Sequence, residues 1–444
     1  MPGSIICRQV IIVELVDHPY PIQCAESERY EMTRGTERLL HCLRKEPAGT
    51  RLADMRQYHV AGWEEIAAAA ERHGVLPLLY HSIKDCLDGL DIPGDVMEQM
   101  RRKYYVVAAR NVRLYHELHR ILELLAGKEI PVIVLKGAYL AERVYGNIAL
   151  RGMSDVDLLV RQDDLKLIDE ILLETGARPV ECNRVITGHK HNFGYVLPEG
   201  KLTVSINWKL VEADYPCRID YSGIWSRAQR LQLARTEVLA LAPEDLLLYV
   251  CLHAAKHTAA NMIIRMLCDI TEIVDYFAGG LDWPAICVRA RQWGVGRAVY
   301  VLLRLARELL DAAIPEEQLE ALRPVEFEEQ RLLVVRRHIL DSSAAVEAAK
   351  ASAPVARLKR ITGLDHKAYR ILRNIFMPRS KMALKYPARA DSWRIFLYYP
   401  VHIKDLLLLH RRTTWSWIRG DAETRIATER LSELISARDW LMSG

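Results

Sequence analysis

Several things are missing from this chain, and each absence narrows the reading. No stretch approaches the roughly 18–20 consecutive apolar residues that cross a bilayer. The all-leucine run 406–409 is far too short. No secretory pattern opens the chain, because Arg8, Glu14 and Asp17 interrupt or bound its first apolar residues and no small-residue cleavage site follows. Nine cysteines are scattered without a CxxC pair. Their odd number and spacing fit neither a disulfide framework nor a cysteine metal site, and a reducing, cytoplasmic compartment suits them best. The net charge of +4 is too small to imply a nucleic-acid partner by itself. There is no internal repeat and no low-complexity tract.

What is present is ordinary soluble composition over 444 residues, long enough for two or three domains with ample core. Residues 1–34 read as an irregular leader, and 35–128 as a helical region. In it an alanine-rich helix opens at Trp63 and stops near Gly74. A longer helix follows, with Val106, Ala109, Val112, Tyr115, Leu118 and Leu122 near helical spacing and Gly127 as its C-cap. The pattern changes over 129–240. The β-branched run 131–135 reads as a buried strand, 138–144 as a helix and 156–160 as a second strand. Asp163 and Asp164 then cap a helix that buries Leu165, Ile168, Ile171 and Leu172. Segments 193–197 and 202–208 read as two more strands, joined by a turn at 198–201. The strand-rich stretch is therefore 130–212. From Pro243 the chain is helical again over 241–350. Residues 351–444 are basic and aromatic, ending in a helix over 421–442. The expected class is α+β: a small mixed sheet flanked by helical regions.

Chemistry belongs in the strand-rich part. Asp155 and Asp157 are two apart on a strand, so both carboxylates leave the same face. Two such groups repel unless a cation lies between them. Mg²⁺ takes a few carboxylates and completes its shell with water and substrate phosphates, a geometry suited to phosphoryl or nucleotidyl transfer. A plain solvated strand entry explains the pair equally simply. Upstream, Lys136-Gly137 ends a strand, where glycine lets a backbone approach phosphates and lysine offers a point charge. An ordinary strand-to-helix turn would look the same.

Taken together, Leu135-Lys136-Gly137 and the run from Arg151 through Asp155-Val156-Asp157 to Val160 resemble the "LKG … R..-D-[IV]-D-L-L-V" signature of an uncharacterised bacterial nucleotidyltransferase family of the polymerase-beta-like superfamily. The run from Ala70 to Leu79 is similar to the family's "A.rHgv.pLl" helix end. Leu252-His253-Ala254-Ala255-Lys256-His257 is similar to its "LHaakH" helix, with Arg265 and Asp269 following at the family's interval. The resemblance covers roughly residues 37–420. It implies a polymerase-beta-like core and transfer of a nucleoside monophosphate from NTP to an acceptor (small molecule, peptide or protein), with pyrophosphate leaving. It further implies Asp155 and Asp157 as Mg²⁺ ligands and Lys136 and Gly137 at the triphosphate.

One position departs from the family pattern. The later strand, expected as V-[DE]-[LV]-H-W, reads Val204-Ser205-Ile206-Asn207-Trp208, so Ser205 stands where the third carboxylate belongs. If that carboxylate is the general base, its loss costs about 10²–10⁴-fold in rate; if it anchors a second metal, the loss is larger. Glu199, Glu212 and Asp214 are replacement candidates, and spacing favours none of them. A catalytically impaired, nucleotide- or acceptor-binding pseudoenzyme is the alternative reading.

Other candidates have bland counterparts. His253 and His257 share a helix face but lack the Glu of an HExxH zinc site. Lys256 and His257 meet phosphate if that face lines a cleft, and otherwise the histidines are satisfied core groups. Arg151 contacts phosphate or forms a structural salt bridge. His189 and His191 are acceptor-side residues or a polar loop. The basic segment (Arg357, Lys359, Arg360, Arg370, Arg373, Arg379, Lys381, Lys385, Arg411, Arg412, interleaved with Trp393, Tyr398, Tyr399, Trp415 and Trp417) is a nucleic-acid or membrane surface, a holder of an acidic acceptor, or simply a solvated face. No recognised nucleic-acid motif supports the sharper readings.

Overall fold

The structure is a computed structural model that describes residues 34–45, 55–85, 90–180, 191–198, 202–213, 215–258, 264–340, 392–405 and 422–443, with isolated positions between 377 and 388. Its centre is a seven-stranded mixed sheet of order β3-β4-β5-β2-β1-β7-β6. The strands are β1 (Ile133–Val134), β2 (Asp155–Leu159), β3 (Arg178–Pro179), β4 (Asn192–Val196), β5 (Thr203–Asn207), β6 (Gln229–Leu233) and β7 (Thr236–Ala240). Strand β2 runs parallel to β5 and antiparallel to β1, with Asp157 opposite Ser205 and Leu158 opposite Val134. The expected α+β class holds, and the strands expected near 131–135, 156–160, 193–197 and 202–208 are present within a residue or two. Residues 199–201 of the expected turn lie outside the described residues.

The sheet extends beyond the expected limit of 212. Strand β3 is too short to leave a periodic signal. The β6–β7 hairpin was hidden by its turn, which is Ala234-Arg235, both with positive φ (50° and 65°). Two-residue turns of this kind ordinarily carry Asn-Gly or Asp-Gly, the only sequence signal that marks them.

Helices cover the sheet. Before it come α1 (Arg34–Leu43), α2 (Val60–Arg72), α3 (Leu76–Ile83) and α4 (Gly94–Ala126). Helix α4 has 33 residues and is therefore about 50 Å long. It buries Val107, Asn111, Leu114, Leu118 and Leu122, whereas Val106 and Val112 are 55% and 57% exposed. The expected apolar stripe is thus rotated over its first half. Apolar residues occupy both candidate faces there, and the choice is made by Asn111, whose amide donates to the carbonyl oxygens of Ile148 and Arg151. Gly127 is the C-cap as expected, its N–H donating to the Glu123 carbonyl oxygen, but it stays right-handed; the left-handed residue is Glu129, followed by a bond from Ile130 N to Leu125 O (3.0 Å).

Segment α5 (Lys136–Tyr139) continues into a π turn over Leu140–Val144. Helix α6 (Leu165–Glu174) buries Leu165, Ile168, Ile171 and Leu172 as expected, but neither Asp163 nor Asp164 makes a side-chain cap. After α7 (Tyr221–Arg227) and the hairpin, α8 (Pro243–Lys256) starts at its proline and is apolar on nearly every face, the mark of a helix packed all round. Asp245 in its first turn is fully buried and accepts from Arg227 (2.9 Å) and Arg289 (3.1 Å). Next follow α9 (Ile264–Tyr276), α10 (Trp283–Trp293), α11 (Gly296–Leu310), α12 (Glu316–Leu322) and α13 (Glu329–Leu340). The last helix, α14 (Ala422–Met442), is where the sequence suggested it. Of the basic aromatic segment, Arg357, Lys359, Arg360, Arg370, Arg373, Lys381, Lys385, Arg411, Arg412, Trp415 and Trp417 lie outside the described residues.

The β6–β7 turn yields a stability test. An L residue in the left-handed region costs about 1–2 kcal/mol, and glycine relieves most of it. Arg235 is exposed. Arg235→Gly is expected to stabilise the fold by about 0.5–1 kcal/mol, read as a higher urea midpoint. A lower midpoint would contradict a turn of this type.

Candidate active site

Strand β2 carries Asp155 and Asp157 on one face while Val156 and Leu158 fill the core behind it. The backbone N–H of Leu135 donates to the carbonyl oxygen of Asp157 (3.0 Å), which draws the start of α5 against β2. Lys136, the next residue, then places its Nζ 3.0 Å from Asp157 Oδ2. The same ammonium meets His253 Nε2 at 3.3 Å. Asp155, at the more open end, accepts from Ser154 Oγ (2.9 Å). Burial, and then the like charge of Asp157, push the Asp155 carboxyl above its usual range. Asp157 has the Lys136 ammonium as its counter-charge, whereas Asp155 has no cation in ion-pair contact among the described residues.

Gly137 follows Lys136. A Cβ there would lie 3.3 Å from Met153 Sδ and 3.5 Å from Arg151 Nη1. The bare glycine lets the segment before β2 close over the turn. Arg151 in that segment is buried and forms a two-pronged pair with Asp269 of α9, Nε to Oδ1 at 2.8 Å and Nη2 to Oδ2 at 2.7 Å. Tyr145 also donates to Asp269 Oδ1 (3.0 Å). Of the two sequence readings for Arg151, phosphate contact or salt bridge, the structure places it in the salt bridge.

Helix α8 supplies the opposite wall. Lys256 Nζ lies 3.1 Å from Glu212 Oε2 and 5.7 Å from the Tyr215 ring centre. His191 Nδ1 is 3.6 Å from Glu212 Oε1. Burial raises the Glu212 carboxyl, but Lys256 and then His191 outweigh it and hold the group below the usual carboxylate range. The ring centres of His253 and His257 lie 4.4 Å apart, with the planes tilted by 59°. Burial, chiefly, and nearby Lys136 depress both, His257 to about 4 and His253 well below its ordinary value. His191 is likewise lowered to about 4 by burial and Lys256. At neutral pH these rings are neutral donors and acceptors rather than cations.

Strand β5 sets Ser205 opposite Asp157 in register. Asn207 Nδ2 is 3.0 Å from the Ser205 carbonyl oxygen and 3.5 Å from Asp157 Oδ1. Of the three candidate replacement acids, Glu212 stands in the Lys256 cluster, while Glu199 and Asp214 lie outside the described residues, as does His189. The Asp155–Asp157 pair with Lys136 was legible in the sequence. The joining of Glu212, His191 and Lys256 was not, because they come from three separate segments and no spacing links them. Among the described residues, no group of three or more His, Cys, Asp or Glu is close enough to hold a metal. The acidic donor set at this site is a pair.

A mixed sheet flanked by helices, with an acidic pair at one strand, defines an α+β protein of nucleotidyltransferase type. The family described as "Uncharacterised nucleotidyltransferase" matches residues 59–311, and the chain belongs to that family. No curated protein matches the chain. Among solved structures, the chain is similar to the crystal structure of ANT(2")-Ia in complex with adenylyl-2"-tobramycin, at 13% identity and a TM-score of 0.30, over 40% of this chain and 97% of that one. An antigenic nucleotidyltransferase-like protein from Paracoccidioides brasiliensis matches at 17% identity and a TM-score of 0.29, over 47% of this chain and 92% of that one. Likenesses this slight carry nothing about substrate. Among the described residues no helix is long and apolar enough to cross a membrane.

Two outcomes follow from the geometry. Removing one partner of a buried ion pair strands the other charge, so Asp269→Asn is expected to cost about 3–5 kcal/mol, measured by urea denaturation. A loss under about 1 kcal/mol would mean the Arg151 pair is dispensable. The second outcome concerns pH. His73, His191 and His257 are each lowered to about 4 in the folded chain, against about 6.5 unfolded. The unfolded chain therefore takes up these protons first. Their contribution to stability is complete above about pH 6.5 and is lost progressively toward pH 4. The urea midpoint is expected to fall between pH 7 and pH 4.5, and less steeply in His257→Gln. Identical slopes for both proteins would show that His257 is not depressed.

Proposed function

We propose that the protein is a Mg²⁺-dependent nucleotidyltransferase that moves a nucleoside monophosphate from an NTP to an acceptor, a small molecule, peptide or protein, and releases pyrophosphate. The observation that carries this reading is the arrangement of Asp155 and Asp157 on one face of β2, with the Lys136 ammonium 3.0 Å from Asp157. Membership of the family supports NTP as the substrate.

The donors fit the ion. Two hard carboxylate oxygens on one face, with the rest of the shell left to water and phosphate, are what Mg²⁺ takes. Ser205 beside Asp157 adds a neutral oxygen, so the described residues supply anionic ligands for one ion rather than two. Bound there, Mg²⁺ would neutralise phosphate charge and polarise the α-phosphorus toward attack.

The chain's own groups have distinct tasks. Lys136 at present compensates Asp157. Were a dication to do so, that ammonium would be free to meet a triphosphate beside Gly137. His253, kept neutral by burial, accepts from Lys136 and holds that ammonium in place. Lys256 and His257 face the phosphates from α8, one as a cation and the other as a neutral N–H donor. Arg151 acts through its pair with Asp269, fixing the segment that leads into Asp155.

One observation favours a second reading. Ser205 stands in register with Asp157, where an anionic base or metal ligand would be expected, and Glu212 is already engaged by Lys256 and His191. A family member that binds nucleotide without turning it over would look like this.

Calorimetric titration of the four NTPs with and without Mg²⁺, on wild type and on Asp155→Asn/Asp157→Asn, tests the proposal. Mg²⁺-dependent binding is expected for wild type and a loss of at least about 100-fold, or ~2.7 kcal/mol, for the double variant. A folded wild type that binds no NTP would sink the reading. Binding with no pyrophosphate release across a panel of acceptors would favour the non-catalytic alternative.

A further inference from the structure

The charged groups around the acidic pair close into three ion pairs: Lys136 with Asp157 (3.0 Å), Arg151 with Asp269 (2.7 Å) and Lys256 with Glu212 (3.1 Å). Among the described residues, the carboxylate Asp155 and the cation Arg265 have no ion-pair partner. Asp155 accepts only from the Ser154 hydroxyl among the described residues. Arg265, the second residue of α9, has no carboxylate in ion-pair contact among the described residues. Its Nη1 donates to the carbonyl oxygen of Gly152 (3.3 Å), and its Nε is buried without an acceptor.

The setting of Arg265 is specific. Gly152 lies three residues before Asp155, so the guanidinium stands against the segment that enters the acidic strand. Gly74, held at φ +67°, lies against the same nitrogen, and a Cβ there would stand 3.3 Å from Arg265 Nη1. Two glycine backbones therefore meet this nitrogen. Burial, and then the neighbouring charge of Arg151, work against its proton, offset only in part by Asp269 and Asp155. Buried Arg151 has a carboxylate fork in Asp269, and half-buried Arg227 has one in Asp245; Arg297, whose Nε also lacks an acceptor, instead donates from Nη1 to the Trp440 carbonyl oxygen and the Ser443 hydroxyl. Arg265 has one carbonyl. A guanidinium is shaped for two-pronged binding of a tetrahedral oxyanion.

We propose that Arg265 is a triphosphate-binding residue, its free N–H groups donating to phosphate oxygens of the nucleotide whose metal sits on Asp155 and Asp157. This rests on the nucleotidyltransferase reading above. It explains the leftover charges together: the cation of a metal–triphosphate complex answers Asp155, and its anion answers Arg265. Arg151, with Nε and Nη2 engaged by Asp269, positions the intervening segment.

The test uses inorganic tripolyphosphate without metal, and the tightest-binding NTP with Mg²⁺, on full-length wild type, Arg265→Gln and Arg265→Lys. Calorimetry is expected to show both ligands about 10–100-fold weaker for the glutamine variant, with part of the affinity restored by lysine, which keeps the charge. A merely structural role would not be rescued in this way. In parallel, wild type is modified with the arginine reagent phenylglyoxal and mapped by mass spectrometry, which requires no variant to fold. Tripolyphosphate is expected to slow modification of Arg265 selectively. Undiminished NTP binding by a folded Arg265→Gln, or equal modification with and without tripolyphosphate, overturns this inference and leaves the nucleotidyltransferase reading standing. A wild type that binds neither ligand overturns both.

Discussion

The buried pair between Arg151 and Asp269 is the contact on which the rest of the site depends. It joins residues 118 apart in sequence, tying the segment before β2 to α9 in the later helices. Around it the polar groups are arranged in a fixed order. Asn111 of α4 holds the Arg151 carbonyl, Tyr145 shares the Asp269 carboxylate, and Arg265 holds the Gly152 carbonyl. Every one of these donors comes from a different element. A guanidinium and a carboxylate out of water are tolerated only when geometry is good and the remaining polar atoms are satisfied. Those requirements fix the approach of three helices to one loop, and the loop delivers Asp155.

The same physics runs through the acidic site in a different balance. Asp157 is compensated by Lys136, and Glu212 by Lys256, with the neutral His191 ring beside it. The histidines of α8 are kept neutral by burial, so they add no charge to an already cationic wall. What remains uncompensated is local: one carboxylate at the open end of β2 and one guanidinium beyond Gly152. A site left in that condition is suited to a ligand that carries both signs of charge, as a metal-bound polyphosphate does.

Much of the fold was legible because burial leaves a period. Strands β2 and β5 and helix α6 have one clean apolar face each, and their residues fell where the sequence put them. The failures share a cause. Helix α4 offers apolar residues on two overlapping faces, and periodicity cannot choose between them. Hairpin β6–β7 turns through Ala234 and Arg235, residues that give no turn signal. The left-handed residue after α4 is Glu129 rather than the capping glycine, Gly127. At the site, the aspartate pair was legible because two residues on one strand have a defined relation. Glu212, His191 and Arg265 belong to segments whose approach is set by packing alone.

The sequence by itself determined the α+β class, the family, and the presence of two carboxylates on one strand face beside a lysine, because local periodicity and short spacings are properties of a few neighbouring residues. Only the tertiary structure decided which charges meet. It gave Arg151 to Asp269 and Lys256 to Glu212, set Ser205 opposite Asp157, and left Arg265 beside Gly152 with a single carbonyl. Ion pairing inside a protein depends on distance and on exclusion of water. Both arise only when elements far apart in the chain pack together.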